Sequence, residues 1–281
     1  MTAIGTPESP IKSVGEFVDC LSQIEKFDDS FIFYRGHADM HWDLLPSIMR
    51  CRDNIADNEH NIIREIISKY PYDFDQEYTT FDRLARLQHY GISTRLLDIT
   101  KSPLVALYFA TENIGTKNEP NGAVLALGTP ASRRKFFDSD TVSCMSNLAY
   151  LSSTEKKILA ETKSRTIAEF NELKPARRLL QFIKAEKPYF DSSIIKMDLH
   201  FPLIVIPKLR NPRIVAQHGC FMIFGLDKKI PSERKGNTSK IIVSGDHKQK
   251  IRNELDDLGI NMPALFPEID KLSSHIMANY A

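Results

Sequence analysis

The chemistry-bearing residues of this sequence gather in three short stretches. The first is Tyr34-Arg35-Gly36-His37, which follows the aromatic and β-branched run Phe31-Ile32-Phe33 and so reads as the end of a strand. An arginine there, with a glycine after it that lets another group approach the backbone, suits a phosphate or carboxylate. A structural arginine paired with an aspartate at the edge of the core fits the same residues. The second stretch runs from Leu87 to Thr100, where Thr94, Arg95, Asp98 and Thr100 alternate with Leu96, Leu97 and Ile99. Apolar neighbours draw some of these polar groups inward, where each needs a partner. Convergence of Arg35, Arg95 and Asp98 on one concave site is expected. The plainer alternative is that Asp98 neutralises Arg95 or Arg35 and Thr100 caps the next helix. The third stretch is Asn211 to Phe221, in which Arg213 and Gln217 lie four apart before Gly219. A turn leading into a strand would aim both at one cleft, while a surface role suits Arg213 equally.

Other chemistries find weaker support. His37 and His41 are four apart, but no cysteine or third histidine stands at zinc-ligand spacing, and no metal is expected. Cys220, His218 and Asp98 make a nucleophilic triad on paper, without a nucleophile-elbow sequence. Asp98 with the histidines would serve a metal-dependent phosphodiesterase, which chelation would expose. There is no Gly-rich phosphate loop of standard pattern. Arg177-Arg178 and the run from Lys208 to Arg213 are basic enough to meet phosphates, although solvated surface is the usual fate of such charges.

The elements that must position these residues follow from periodicity. Apolar residues at Val14, Phe17, Val18, Leu21 and Ile24 predict an amphipathic helix, as do Ile62, Ile63, Ile66 and Ile67, and Phe81 to Tyr90 with Gly91 as its C-cap. Leu104 to Thr111 after Pro103 reads as a buried helix. Strands are expected at Gly122 to Leu127, Leu203 to Ile206, Cys220 to Phe224 and Ile241 to Val243. Residues 140–187 read as a helical insertion, a lid or a packing decoration, and residues 247–281 as a helical tail. The fold class is α+β, a mostly antiparallel sheet with packed helices.

At 281 residues and 42% hydrophobic content the chain can bury a sizeable core as a single domain over residues 1–281. Lys and Arg number 37 against 36 Asp and Glu, so no global field steers it to nucleic acid or membrane, and a polyanion would have to meet a local patch. Cys20, Cys51, Cys144 and Cys220 lie far apart, as reduced packing thiols do. The N-terminus lacks the charged and apolar regions of a secretory leader, and no apolar run approaches the ~18 residues of a membrane span. A cytoplasmic location without membrane attachment is expected.

The stretches Tyr34-Arg35-Gly36, LQHYGISTRLLDITKSPLVALYFA and NPRIVAQHGCFMIFG resemble the FRG domain, with tyrosine in the first place of its Phe-Arg-Gly-like opening. The likeness spans about Phe31 to Gly225 and continues into the tail. At a second level the order of motifs is similar to that of ADP-ribosyltransferases, in which an arginine on an early strand and a Ser/Thr-containing strand running into a helix hold NAD. That resemblance implies an NAD-utilising transferase, with a toxin or defence role and a nucleic acid or protein acceptor. It gives Arg35 and Gln217 catalytic positions, and Arg35, Gly36, Thr94, Arg95, Asp98 and Thr100 the binding of NAD. Those enzymes carry a glutamate that stabilises the cationic transition state, whereas Gln217 stands near that place here. The alternative is a non-catalytic module that binds a nucleotide, nucleic acid or protein.

Overall fold

The computed structural model describes residues 9–25, 29–50, 55–191, 193–227 and 238–268, with Ser273 and Met277. The strands are β1 (Ser30–His37), β2 (Leu96–Thr100), β3 (Gly122–Pro130), β4 (Arg134–Phe136), β5 (Leu203–Ile206), β6 (Gly219–Ile223) and β7 (Thr238–Val243). They form one seven-stranded sheet in the order β4-β5-β6-β2-β1-β3-β7, antiparallel throughout except between β4 and β5. The helices are α1 (Val14–Ser22), α2 (Ser47–Arg50), α3 (Glu59–Lys69), α4 (Thr80–His89), α5 (Pro103–Ala110), α6 (Asp140–Asn147), α7 (Ser153–Glu161), α8 (Ile167–Asn171), α9 (Lys174–Glu186), α10 (Pro212–Ala216), α11 (Lys248–Asp257) and α12 (Met262–Leu265). This is the α+β class that the sequence implies. Among the described residues no helix is long and apolar enough to cross a membrane.

Period-two alternation divides the strands between two faces. Leu96, Leu203, Val205, Phe221 and Ile223 face one core with α4, α6 and α9, while Val124, Ile241 and Val243 face a second with α1, α5 and α11. The register opposes Leu96 to Ile223 and Tyr34 to Thr100, so both cores lie on the same side of the sheet. Phe33, Leu97, Ile99, Leu125 and Met222 point to the other side, covered by Leu44, Leu45 and Met49. The seam between the two helix-covered cores falls over β2 and β1.

Local signals set the elements beside that seam. Thr79 opens α4 by accepting the Asp82 N–H, and Gly91, at φ 80°, follows its last turn, where a residue without Cβ enters the left-handed region freely. Thr100 Oγ1 accepts the Ser102 N–H at 2.9 Å, and Ser102 caps α5 by accepting the Val105 N–H, with Pro103 in the first turn. Strand β2 therefore passes into α5 through a closed turn. Gly36 lets that helix lie on β1, because a Cβ there would stand 2.0 Å from the Ala106 carbonyl oxygen.

Residues 140–187 form α6 to α9, and Met145, Leu159, Leu179 and Ile183 are fully buried in the first core. Among the described residues none of this segment lines the cleft below, and its buried side chains serve packing. Of the tail, α11 and α12 are described, and much of the remainder, like Cys51, lies outside the described residues. One expectation is corrected: Arg35 sits inside β1, not at its end, because the strand continues to His37.

Candidate functional site

Strand β1 pairs with β3 along its whole length, from Ser30 opposite Pro130 to His37 opposite Ala123, and β2 pairs with β6 from Leu96 to Thr100. Between β1 and β2, however, the register holds a single pair, Tyr34 opposite Thr100. Beyond it the strands part. Arg35 reaches across the gap by donating from Nη1 to Asp98 O. Its Nε donates to His37 Nε2 at 3.1 Å.

That second bond needs a neutral imidazole, which the surroundings enforce. Burial, with Arg35, Arg50 and Lys240 nearby, pushes His37 down to about 3. Burial also lowers Arg35, to about 10, against the opposing pull of Asp98, so the guanidinium stays charged at neutral pH.

Two adjoining cavities open over the split. One, of about 520 Å³, is lined by Tyr34, Arg35, Gly36, Thr100 and Phe109, and the other, of about 500 Å³, by Gln88, His89, Asn211 and Ile214. Asp98, Ile99, Arg213 and Gln217 line both, which makes them one cleft. Asp98 is exposed there, and its Oδ2 accepts from Gln88 Nε2 at 2.7 Å. Gln88 Oε1 in turn accepts from Thr94 Oγ1 at 2.6 Å, and Thr94 accepts the Leu96 N–H at 3.1 Å. The chain has one consistent direction: an ionised carboxylate only accepts, so Gln88 must show it the amide nitrogen and turn its oxygen to Thr94.

Arg213 makes no ion pair among the described residues, and its guanidinium stacks over Phe266 at 4.8 Å. Phe266 also meets Phe109 edge to face, with centroids 6.2 Å apart. Gln217 caps α10 and donates from Nε2 to Leu265 O at 3.0 Å, while its own carbonyl accepts from Thr100 Oγ1 at 2.7 Å. Leu265 and Phe266 of the tail thus hold the side chains of Gln217 and Arg213.

Of the residues expected to form the site, the fold brings together Arg35, Gly36, Asp98, Thr100 and Gln217. Thr94 is buried behind the cleft and acts on it only through Gln88. Arg95 does not join it. It is 3% exposed, donates from Nε to Glu59 Oε1 at 2.9 Å and from Nη1 to the Phe224 and Gly225 carbonyls, and lines a separate cavity with Glu59 and Lys156. Lys156 Nζ lies 2.6 Å from Glu59 Oε2. Burial alone would raise Glu59, but Arg95 and Lys156 outweigh it and hold the carboxyl at about 2. The expected convergence of Arg35, Arg95 and Asp98 is therefore corrected, because the charge of Arg95 is answered from α3.

The triad built on Cys220 also lacks support, since burial pushes that thiol up to about 11 and leaves it protonated at neutral pH. No group of three or more metal-ligating side chains occurs among the described residues. Sequence reasoning passed over Gln88, Phe109 and Glu59. An acid in the first turn of a helix reads as a dipole partner, and nothing local says that Glu59 is buried under Arg95.

The strand split, the arginine within it and the turn from β2 into α5 all lie in one stretch of chain. Residues 30–119 match the FRG domain. No curated protein and no solved structure gives a significant match to the chain. The FRG match carries Arg35, Gly36, Thr94, Asp98, Thr100 and Phe109, whereas Arg213, Gln217 and Phe266 come from chain beyond it. The cleft is thus built from the stretch that matches the FRG domain together with α10 and the tail.

Proposed function

We propose that this cleft binds NAD and that the chain is an ADP-ribosyltransferase-like, NAD-utilising protein. One observation carries the reading: Thr94 and Gln88 fix Asp98 as an acceptor in a cleft that Arg35 and Arg213 also line. A ligand suited to both ends holds hydroxyl donors and negative charge in one molecule, as a dinucleotide does with its ribose diols and pyrophosphate. Tyr34 and Phe109 supply an apolar wall for a ring. In transfer, the bond between ribose C1′ and the nicotinamide nitrogen breaks with its electron pair leaving on nicotinamide, and an acceptor nucleophile bonds to C1′ and gives up its proton. Asp98 is the carboxylate available to stabilise the cationic sugar and take that proton.

The alternative, a binding module without catalysis, is favoured by Gln217, an amide whose nitrogen is engaged by Leu265 O and which cannot accept a proton. Calorimetric titration with NAD, ADP-ribose and AMP, run beside an assay of nicotinamide release, separates the two. Saturable NAD binding with nicotinamide release supports the transferase, binding without release supports a nucleotide-binding module, and no binding of any of the three refutes the transferase and leaves a module for nucleic acid or protein.

A further inference from the structure

The cleft does not stop at α10. A trough of about 800 Å³ continues between α4 and the Pro207–Pro212 stretch, and Ala85, His89, Asn211 and Ile214 line both it and the cleft. The two therefore adjoin.

The charges along this path are unevenly matched. The carboxylates that line the trough are answered: Asp82 lies 2.7 Å from Lys208 Nζ, and Glu77 lies 3.6 Å from Arg86. On the opposite lip, Arg210 and Arg213 have no ion pair among the described residues. Arg210 lines the trough and acts on Glu77 at longer range, while Arg213 lines the cleft, so Arg86, Lys208 and Arg210 face Glu77 and Asp82 along the trough. Tyr90, at the C-cap of α4, lines the trough with Arg210 and is 55% exposed. The Arg86 guanidinium lies 5.6 Å from the centre of its ring, and Arg86 Nη2 donates to its hydroxyl at 3.3 Å, so the ring is held in place. Guanidiniums without an ion pair near a half-exposed aromatic ring, here one that Arg86 and His89 hold, are the combination by which single strands are bound, through phosphates and stacked bases.

We infer that the trough binds single-stranded nucleic acid, with phosphates at Arg210 and Arg213 and a base on Tyr90. As the acceptor side of an NAD-dependent transfer this rests on the proposed function, but the binding itself does not require NAD.

The test measures fluorescence anisotropy of labelled single-stranded DNA and RNA of about ten nucleotides, a common site size, without NAD and over a range of salt. A duplex of the same length and an acidic peptide serve as competitors. Arg210→Glu should weaken binding at least about tenfold and lower the salt slope by about one. Tyr90→Ala should weaken it about five- to a hundredfold, with little change in slope. Both variants should keep the wild-type melting temperature and NAD affinity. Salt-insensitive or absent binding, variants that bind as well as wild type, or equal competition by the duplex or the peptide would overturn the inference. Oligonucleotide binding without NAD binding would keep the trough and remove the dinucleotide reading, and the reverse result would do the opposite.

Discussion

Arg35 donates to the main-chain carbonyl of Asp98, and the Asp98 carboxylate is left to Gln88 and to solvent. The two residues are neighbours without forming a buried ion pair, so removing the arginine strands no carboxylate in the core. Among the described residues a buried pair is instead that of Arg95 with Glu59.

Arg35→Ala and Arg95→Ala should therefore diverge. The first should lose NAD affinity by roughly ten- to a hundredfold, the worth of a charge-assisted pair, while the melting temperature falls only modestly. The second leaves Glu59 buried with Lys156 alone and should cost about 3–5 kcal/mol. Thermal melts and calorimetry on both variants check this, and equal destabilisation by the two would contradict the assignment.

Thr94 never touches the cleft, yet it sets the orientation of Gln88. Thr94→Val should release the amide and lower NAD affinity about fivefold, the worth of about one hydrogen bond, while Thr94→Ser restores it. Titration of NAD into both variants, at matched folded fraction, tests the chain.

Stability should fall in acid through His37. Its folded value of about 3 lies below the ordinary 6.5, so between these limits the unfolded chain binds a proton that the folded one refuses. The contribution of His37 is complete above pH 6.5 and is lost as pH drops toward 3, at up to about 1.4 kcal/mol per pH unit. Glu59 adds a loss in the same direction below pH 4.5. Melting temperatures of His37→Gln should decline more gently than wild type from pH 6.5 to pH 5, and parallel curves would exclude His37 as the cause.

Gly36→Ala should destabilise severely. The new Cβ meets backbone at Ala106 O and Ala110 N, so α5 must shift as a body, at a cost of about 2 kcal/mol or more. A denaturant titration measures it, and a near-neutral result would mean that α5 is free to move.

Much of this architecture was legible in the residues alone. The period of Phe81 to Tyr90, the Pro103 start of α5 and the apolar runs of β3, β5 and β6 are local signals, because each burial pattern repeats within one element. The density of polar groups from Thr94 to Thr100 correctly marked a demanding region. It did not say which side each group would take. On a strand, neighbouring residues point to opposite faces, so Asp98 and Thr100 share the cleft side while Arg95 turns the other way. Nor does any local pattern tell Arg95 that its partner is Glu59, 36 residues earlier, or Gln217 that its amide meets Leu265, 48 residues later. Which elements these residues form was determined by sequence, since propensity and periodicity act over a few residues. Which charges are answered and which stay free was decided by the tertiary fold, because electrostatic partnership depends on distances that only packing sets.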